Sequence, residues 1–334
     1  MITAPAPVIV VTIVAPASID LEMTVAVFPS QAVLSASPLL SPQHLSSLAS
    51  GLCPGAAESS LATLQEAVLA LKDCAEPRGH VILVLDKYLQ KLPWENISCL
   101  RPHTVTRMPS LHFLLGHCAL REVSVLLGHR ALTELDPESV LNQGVNPQEV
   151  FYVLNPDANL KDTEERFREW FTRESAFCAT DLPLSESAWQ GVCGAAPSPD
   201  QIQQAVTTKD LYIYVGHGAG ARFLNSQKLL KQELHAAALL FGCSSAALAI
   251  HGELEGTGVI LNYLMAGCPL VLGNLWDVTD RDIDRFTKAL LQSWFSAGCG
   301  AGLLDHMASS RQATYLKHLI GAAPVVYGLP VSLK

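Results

Sequence analysis

Five short apolar runs constrain this chain more than any other feature: HVILVLD (80–86), VFYVLN (150–155), DLYIYV (210–215), AAALLF (236–241) and PLVLG (269–273). Each is apolar on both faces of a two-residue period, so each reads as a strand covered on both sides. Helical patterns lie between or after them, at LKDTEERFREWF (160–171), SQKLLKQELH (226–235), GVILNYLMAG (258–267) and DRDIDRFTKALLQSWF (280–295). Strands alternating with helices predict an α/β fold, a mainly parallel sheet with helices on both faces, from about residue 80 onward.

The upstream part follows other rules. Residues 1–58 contain no Lys or Arg and carry prolines at 5, 7, 16, 29, 38, 42 and 54. Proline lacks an amide donor and restricts its neighbour, so this segment is expected to be loosely ordered. SSLATLQEAVLALKD (59–73) places Leu61, Leu64, Val68 and Leu71 on one helical stripe. The expected division is therefore 1–58, a loosely ordered segment; 59–148, a smaller helical and α/β region; and 149–334, the main domain. Two stretches, 117–138 and 173–189, fit the strand–helix rhythm poorly and read as insertions or variable loops.

Composition narrows the function. Apolar residues make up 49% and charged residues 16%, and 22 basic against 31 acidic residues leave a net charge of −9. Such a chain has no basic footprint for direct sequence-specific nucleic-acid binding. Nine cysteines, at 53, 74, 99, 118, 178, 193, 243, 268 and 299, are odd in number, irregular in spacing and without C-x-x-C. They indicate neither a disulfide framework nor a zinc ribbon, and favour a reducing compartment. No Lys or Arg precedes Lys72, and the longest N-terminal apolar run, Val8–Ala15, is too short to span a bilayer. A soluble chain with neither secretory signal nor membrane span is expected.

In open α/β sheets, ligands collect beyond the carboxyl ends of strands. Beyond DLYIYV comes Gly216-His217-Gly218-Ala219-Gly220, beyond AAALLF comes Gly242-Cys243-Ser244-Ser245, and beyond PLVLG comes Asn274-Leu275-Trp276-Asp277-Val278-Thr279-Asp280. If the first two strands are neighbours, an imidazole and a thiol emerge at one edge. The thiolate is the reactive form of cysteine, and a nearby imidazole can hold its proton and later deliver it to a leaving amine. The Gly218 and Cys243 amides are candidate oxyanion donors, and a helix starting after Cys243 would favour the thiolate. Taken singly, a strand-end cysteine is an apolar filler and a histidine in a glycine turn a loop residue.

Asp277, Asp280, Asp282 and Asp284 have two readings. Asp277 or Thr279 caps the following helix while Asp280 and Asp282 complement its dipole, or one carboxylate receives a basic substrate side chain. Gly216-x-Gly218-x-x-Ala221 also fits a relaxed dinucleotide fingerprint, with Glu233 as ribose ligand, although four residues intervene before helical periodicity begins. His112 and His117 have no ligand partner at metal spacing, so no metal is expected.

The runs DLYIYVGHGAGARFL (210–224), ALLFGCSSAALA (238–249), YLMAGCPLVLGNLWDVTDRDIDRF (263–286) and LIGAAPVVYGLPVSL (319–333) resemble the C-terminal protease region of separases. LDKYLQKLPWENI (85–97), MPSLHFLL (108–115) and VFYVLNP (150–156) resemble the part just upstream. The resemblance covers roughly 80–334 and implies a caspase-like cysteine endopeptidase with the smaller region on its substrate side. It implies His217 as general base, Cys243 as nucleophile, and Asp277, then Asp280, beside Trp276, as the receiver of an arginine before the scissile bond. It further implies cleavage of the kleisin subunit of cohesin to release sister chromatids, no cofactor, and a site of action in cytoplasm and nucleus, at spindle or centrosome. Securin and cyclin B-dependent kinase are the implied regulators, although many of their contacts use a long helical region that this sequence almost wholly lacks. The implied alternative is a separase-like module that binds inhibitor or substrate without turnover.

Overall fold

A computed structural model describes residues 8–14, 22–28, 80–85, 87–98, 100–110, 113, 139–173, 189–224, 229–252 and 256–334. The expected helix at 59–73, His112, His117 and the stretch 117–138 lie outside these residues, as does nearly all of 173–189. The chain divides into two compact units, Met1–Leu111 and His112–Lys334.

Among the described residues the first unit holds four strands: β1 (Val8–Val14), β2 (Glu22–Phe28), β3 (Val81–Leu85) and β4 (Val105–Met108). β1 pairs antiparallel with β2 and parallel with β3, which pairs parallel with β4. β1 and β2 thus lie in the stretch expected to be loosely ordered. The reason is composition between the prolines: VIVVTIV is β-branched throughout, and EMTVAVF combines Thr24, Val25 and Val27 with Phe28, residue types that suit a pleated surface. β4 escapes a search for apolar runs because VTRM carries Arg107, which is fully buried. Its guanidinium donates to both Glu95 carboxylate oxygens (2.7 and 2.8 Å) and to the Gln90 and Leu92 carbonyls, so the charge is paired and hydrogen-bonded.

The second unit is a mainly parallel sheet. β5 (Val150–Leu154), β6 (Gln190–Cys193), β7 (Leu211–Val215), β8 (Ala237–Leu240), β9 (Leu270–Asn274) and β10 (Pro324–Gly328) lie in the order β10-β9-β8-β7-β5-β6. All neighbours pair parallel except β10 with β9. Because the chain steps from β5 to β6 on one side and then back to β7 on the other, the strand order reverses between β5 and β7. That is the point where such sheets bind ligands.

Strand periodicity sorts the core into two layers. Leu211, Ile213 and Val215 of β7 join Leu239 and Leu272 in one cluster, while Tyr212 and Tyr214 join Leu240 and Val271 in the other. A single helical turn, α1 (Val140–Gln143), precedes β5. The first layer is closed by α2 (Lys161–Arg173) through Phe167 and Phe171, and by α5 (Asp280–Ala297) through Phe286, Leu290 and Trp294. The second is closed by α3 (Pro199–Thr208) through Ile202 and Val206, and by α4 (Val259–Met265) through Ile260 and Tyr263. α3 begins with a capping box, Ser198 accepting from the Gln201 amide and the Gln201 side chain accepting from the Ser198 amide, with Pro199 at the first helical position.

Two local expectations are corrected. The helix predicted over 226–235 is not formed at 230–235, where turns and extended backbone lead into β8; 226–228 lie outside the described residues. Residues 243–246 form a turn tied to the end of β9, not a helix, so no helix dipole acts on Cys243 from that side.

Candidate active site

β7 and β8 are parallel neighbours, so the turns that follow them leave the sheet at the same edge. Their packing is closest at Gly242. A Cβ placed there would lie 1.9 Å from the Gly218 carbonyl oxygen and 2.4 Å from that of Gly216. The His217 turn therefore rests directly on the Cα that precedes Cys243, and no side chain fits between them.

Each turn is fixed from within the fold. Tyr214 of β7 donates to the His217 carbonyl (2.8 Å), and its ring lies against Gly216 and Gly220. Gly218 and Gly220 have φ of 61° and 67°, a region open to glycine without cost. On the other turn, Ser245 Oγ donates to the Leu240 carbonyl (2.7 Å) and accepts from the Asn274 amide (2.9 Å). The buried Asn274 side chain donates to the Gly242 carbonyl (3.0 Å). Ser244, at φ 51°, sits in the left-handed region that a residue with a Cβ seldom adopts. Its amide donates to the Trp276 carbonyl (3.1 Å).

The imidazole of His217 is exposed, and its Nε2 stands 3.1 Å from Asn159 Oδ1. The half-buried Cys243 thiol donates to the Val278 carbonyl (3.2 Å) and accepts from the Val278 amide (3.4 Å). Among the described residues no hydrogen bond joins this thiol to the imidazole, and neither the Gly218 nor the Cys243 amide donates to a protein acceptor. By contrast the Cys268 thiol is wholly buried, which pushes its pKa up to about 12 and leaves it inert.

The acidic cluster separates into different roles. Asp277 accepts from Ser244 Oγ (2.6 Å), and so stands exposed beside the Cys243 turn. Trp276, partly buried, donates through Nε1 to the Leu319 carbonyl (3.2 Å). Asp280 is exposed at the first residue of α5. Thr279 occupies the N-cap of α5 without a side-chain capping bond, and Asp277 does not cap it either. Buried Asp282 accepts from the amides of Tyr315 and Leu316 (both 3.0 Å) and from Arg285. Burial raises its pKa, but these three donors outweigh it and hold the carboxyl below the usual range. Asp284 accepts from Thr163 (2.9 Å) and Arg166 (2.5 Å), and there burial prevails and raises the pKa. Asp282 and Asp284 therefore anchor a loop and a helix.

Asn155, Asn159, Ser244 and Asn274 were not singled out from the sequence. Asn155 ends the run VFYVLN and Asn159 follows it, where inspection beyond the strand end reaches both. The dinucleotide reading needs a helix leading straight on from the glycines; among the described residues the chain after Gly218 makes a short 3-10 turn, Ala221–Phe223, instead. Among the described residues no group of three His, Cys, Asp or Glu is placed to hold a metal ion, and no helix is long and apolar enough to cross a membrane.

Residues 50–283 match the family model described as "Separin, protease domain". A mouse separin is 53% identical over 303 residues, covering 90% of this chain and 13% of its own. The chain belongs to the separin protease-domain family. A Schizosaccharomyces pombe separin is 35% identical over 268 residues, covering 76% of this chain and 13% of its own. The separase of a Saccharomyces cerevisiae separase-securin complex superposes with a TM-score of 0.64 at 30% identity, over 83% of this chain and 18% of that one. The fold is therefore the caspase-like one of separases, and the family is one of cysteine proteases. This chain spans only about an eighth of the length of the separins it matches.

Proposed function

We propose that this chain is a thiol endopeptidase of the separase type that cleaves after arginine. Cys243 is the nucleophile, His217 its general base, and the Gly218 and Cys243 amides receive the oxyanion. Thiolate attack on the carbonyl carbon forms the C–S bond while the imidazole holds the thiol proton. That proton passes to the leaving amine as the C–N bond breaks, and water then hydrolyses the acyl-enzyme. The observation that carries this reading is the contact at Gly242, which supports a shared cleft for the two turns.

Asp277 is the preferred receiver of the substrate guanidinium, with Asp280 second and Trp276 as a wall. Its support is the Ser244 hydrogen bond, which keeps one carboxylate oxygen beside the nucleophile turn and leaves the other for a ligand. The substrate proposed is the kleisin of cohesin, cleaved in chromosome segregation, with action in cytoplasm and nucleus. A securin-type inhibitor is a further proposal, supported by the securin complexes among the matching structures.

The Cys243 thiol bonded to Val278 favours a second reading, a module that binds without turnover. Catalytic contacts in ligand-free sites are often loose and tighten on substrate, and a rotation about the Cys243 Cα–Cβ bond suffices to release the sulfur. The test is cleavage of a cohesin peptide with one arginine site. The endopeptidase reading expects cleavage by the native chain and none by Cys243→Ala or His217→Ala of unchanged melting temperature. Equal cleavage by Cys243→Ala would contradict it.

A further inference from the structure

We infer that Asn159 is a positioning residue for His217, fixing which imidazole nitrogen carries the proton. The inference rests on His217 acting as the base for Cys243. His217 Nε2 stands 3.1 Å from Asn159 Oδ1. An amide oxygen only accepts, so the nitrogen facing it carries hydrogen. In the neutral ring that leaves Nδ1 with the free lone pair that a base for a thiol requires. The thiol proton then moves to Nδ1, the Nε2 hydrogen stays on Nε2 and is donated to the Asn159 oxygen throughout, and the Nδ1 proton departs with the leaving amine. Without this acceptor the ring can rotate and both tautomers are populated.

The loop that presents Asn159 is built for rigidity. Asn155 is buried, its amide donates to the Val215 carbonyl at the end of β7 (2.8 Å), and its Nδ2 donates to Glu164 Oε2 of α2 (2.6 Å). Its Oδ1 accepts from the amides of Asn159 (3.0 Å) and Leu160 (2.9 Å). Asn155 and Ala158 hold φ of 47° and 55°, left-handed values that persist only where surrounding bonds over-determine them. The loop leaves β5 and the imidazole leaves β7, the two strands that flank the reversal of strand order.

The test is nitrogen NMR of the imidazoles in the whole 15N-labelled chain, with His217 assigned by His217→Ala, at a pH where the ring is neutral. The native chain is expected to show a protonated Nε2 and a bare Nδ1. Asn159→Ala is expected to average the two signals and to lower kcat roughly a hundredfold, the low end of what a positioned base contributes, with KM little changed. Asn159→Asp keeps the acceptor and adds charge, so the tautomer is retained and the acidic limb of the pH–rate profile moves to higher pH. A bare Nε2 in the native chain, or a tautomer that Asn159→Ala leaves alone, overturns the inference. A chain that shows the expected tautomer shift but cleaves nothing supports the role of Asn159 and contradicts the endopeptidase reading, so the two ideas fail separately.

Discussion

At Gly242 one missing methyl group decides whether two turns can share a cleft. A Cβ there would overlap two carbonyl oxygens of the His217 turn, and neither can retreat without pulling Tyr214 or the glycine backbone with it. Gly242→Ala is therefore expected to destabilise the chain by about 1–3 kcal/mol, as overpacking does. It is also expected to separate the imidazole from the thiol, so that peptide cleavage falls much further than the folded fraction. Parallel measurement of urea midpoint and kcat separates these effects, and unchanged cleavage would contradict the shared cleft. Ser244 works at the same scale: its left-handed backbone turns Oγ onto Asp277, joining the residue after the nucleophile to the proposed arginine receiver.

At the scale of elements, α5 holds the 315–316 loop through one carboxylate. The folded-state pKa of Asp282 lies below the unfolded value of about 3.9. Its contribution to stability is thus full above that value and is lost as pH falls through the folded pKa. Asp284 has the opposite sign: its raised pKa weakens the fold as pH rises through the interval above the unfolded value. Asp282→Ala is expected to cost about 1.5–3 kcal/mol at neutral pH, the range for hydrogen bonds to a charged group. The gap between variant and native chain should narrow as pH is lowered from about 5 towards 2, read from denaturant midpoints. A gap independent of pH would contradict the ionised role.

The elements also explain how far the sequence could be read. Strands β5, β7, β8 and β9 were legible because both their faces are buried, so each is a continuous apolar run. β6 (QGVC) was not, because two of its four residues are exposed and one is glycine. β4 hid behind Arg107, whose burial depends on Glu95 and two carbonyls brought to it only by folding. His217 and Cys243 were legible as chemical residues placed just past strong strands. Asn155 and Asn159 carry no periodic signal, and their meaning depends on β5 lying beside β7, a neighbour relation that local pattern does not contain.

For the molecule as a whole, the separin family and caspase-like fold agree with a thiol protease reading of the strand-end turns. The sheet order puts the ends of β5, β7, β8 and β9 along one edge in succession, supplying in turn the loop of Asn159, the imidazole, the sulfur and the acidic rim. The most direct measurement of this account is mass spectrometry of the intact chain after treatment with an arginyl electrophile directed at cysteine proteases. The account predicts a single adduct on Cys243, lost in His217→Ala and weakened in Asp277→Ala, while Cys268 stays unmodified. A native chain unlabelled at Cys243, or labelled there equally in His217→Ala, would contradict it.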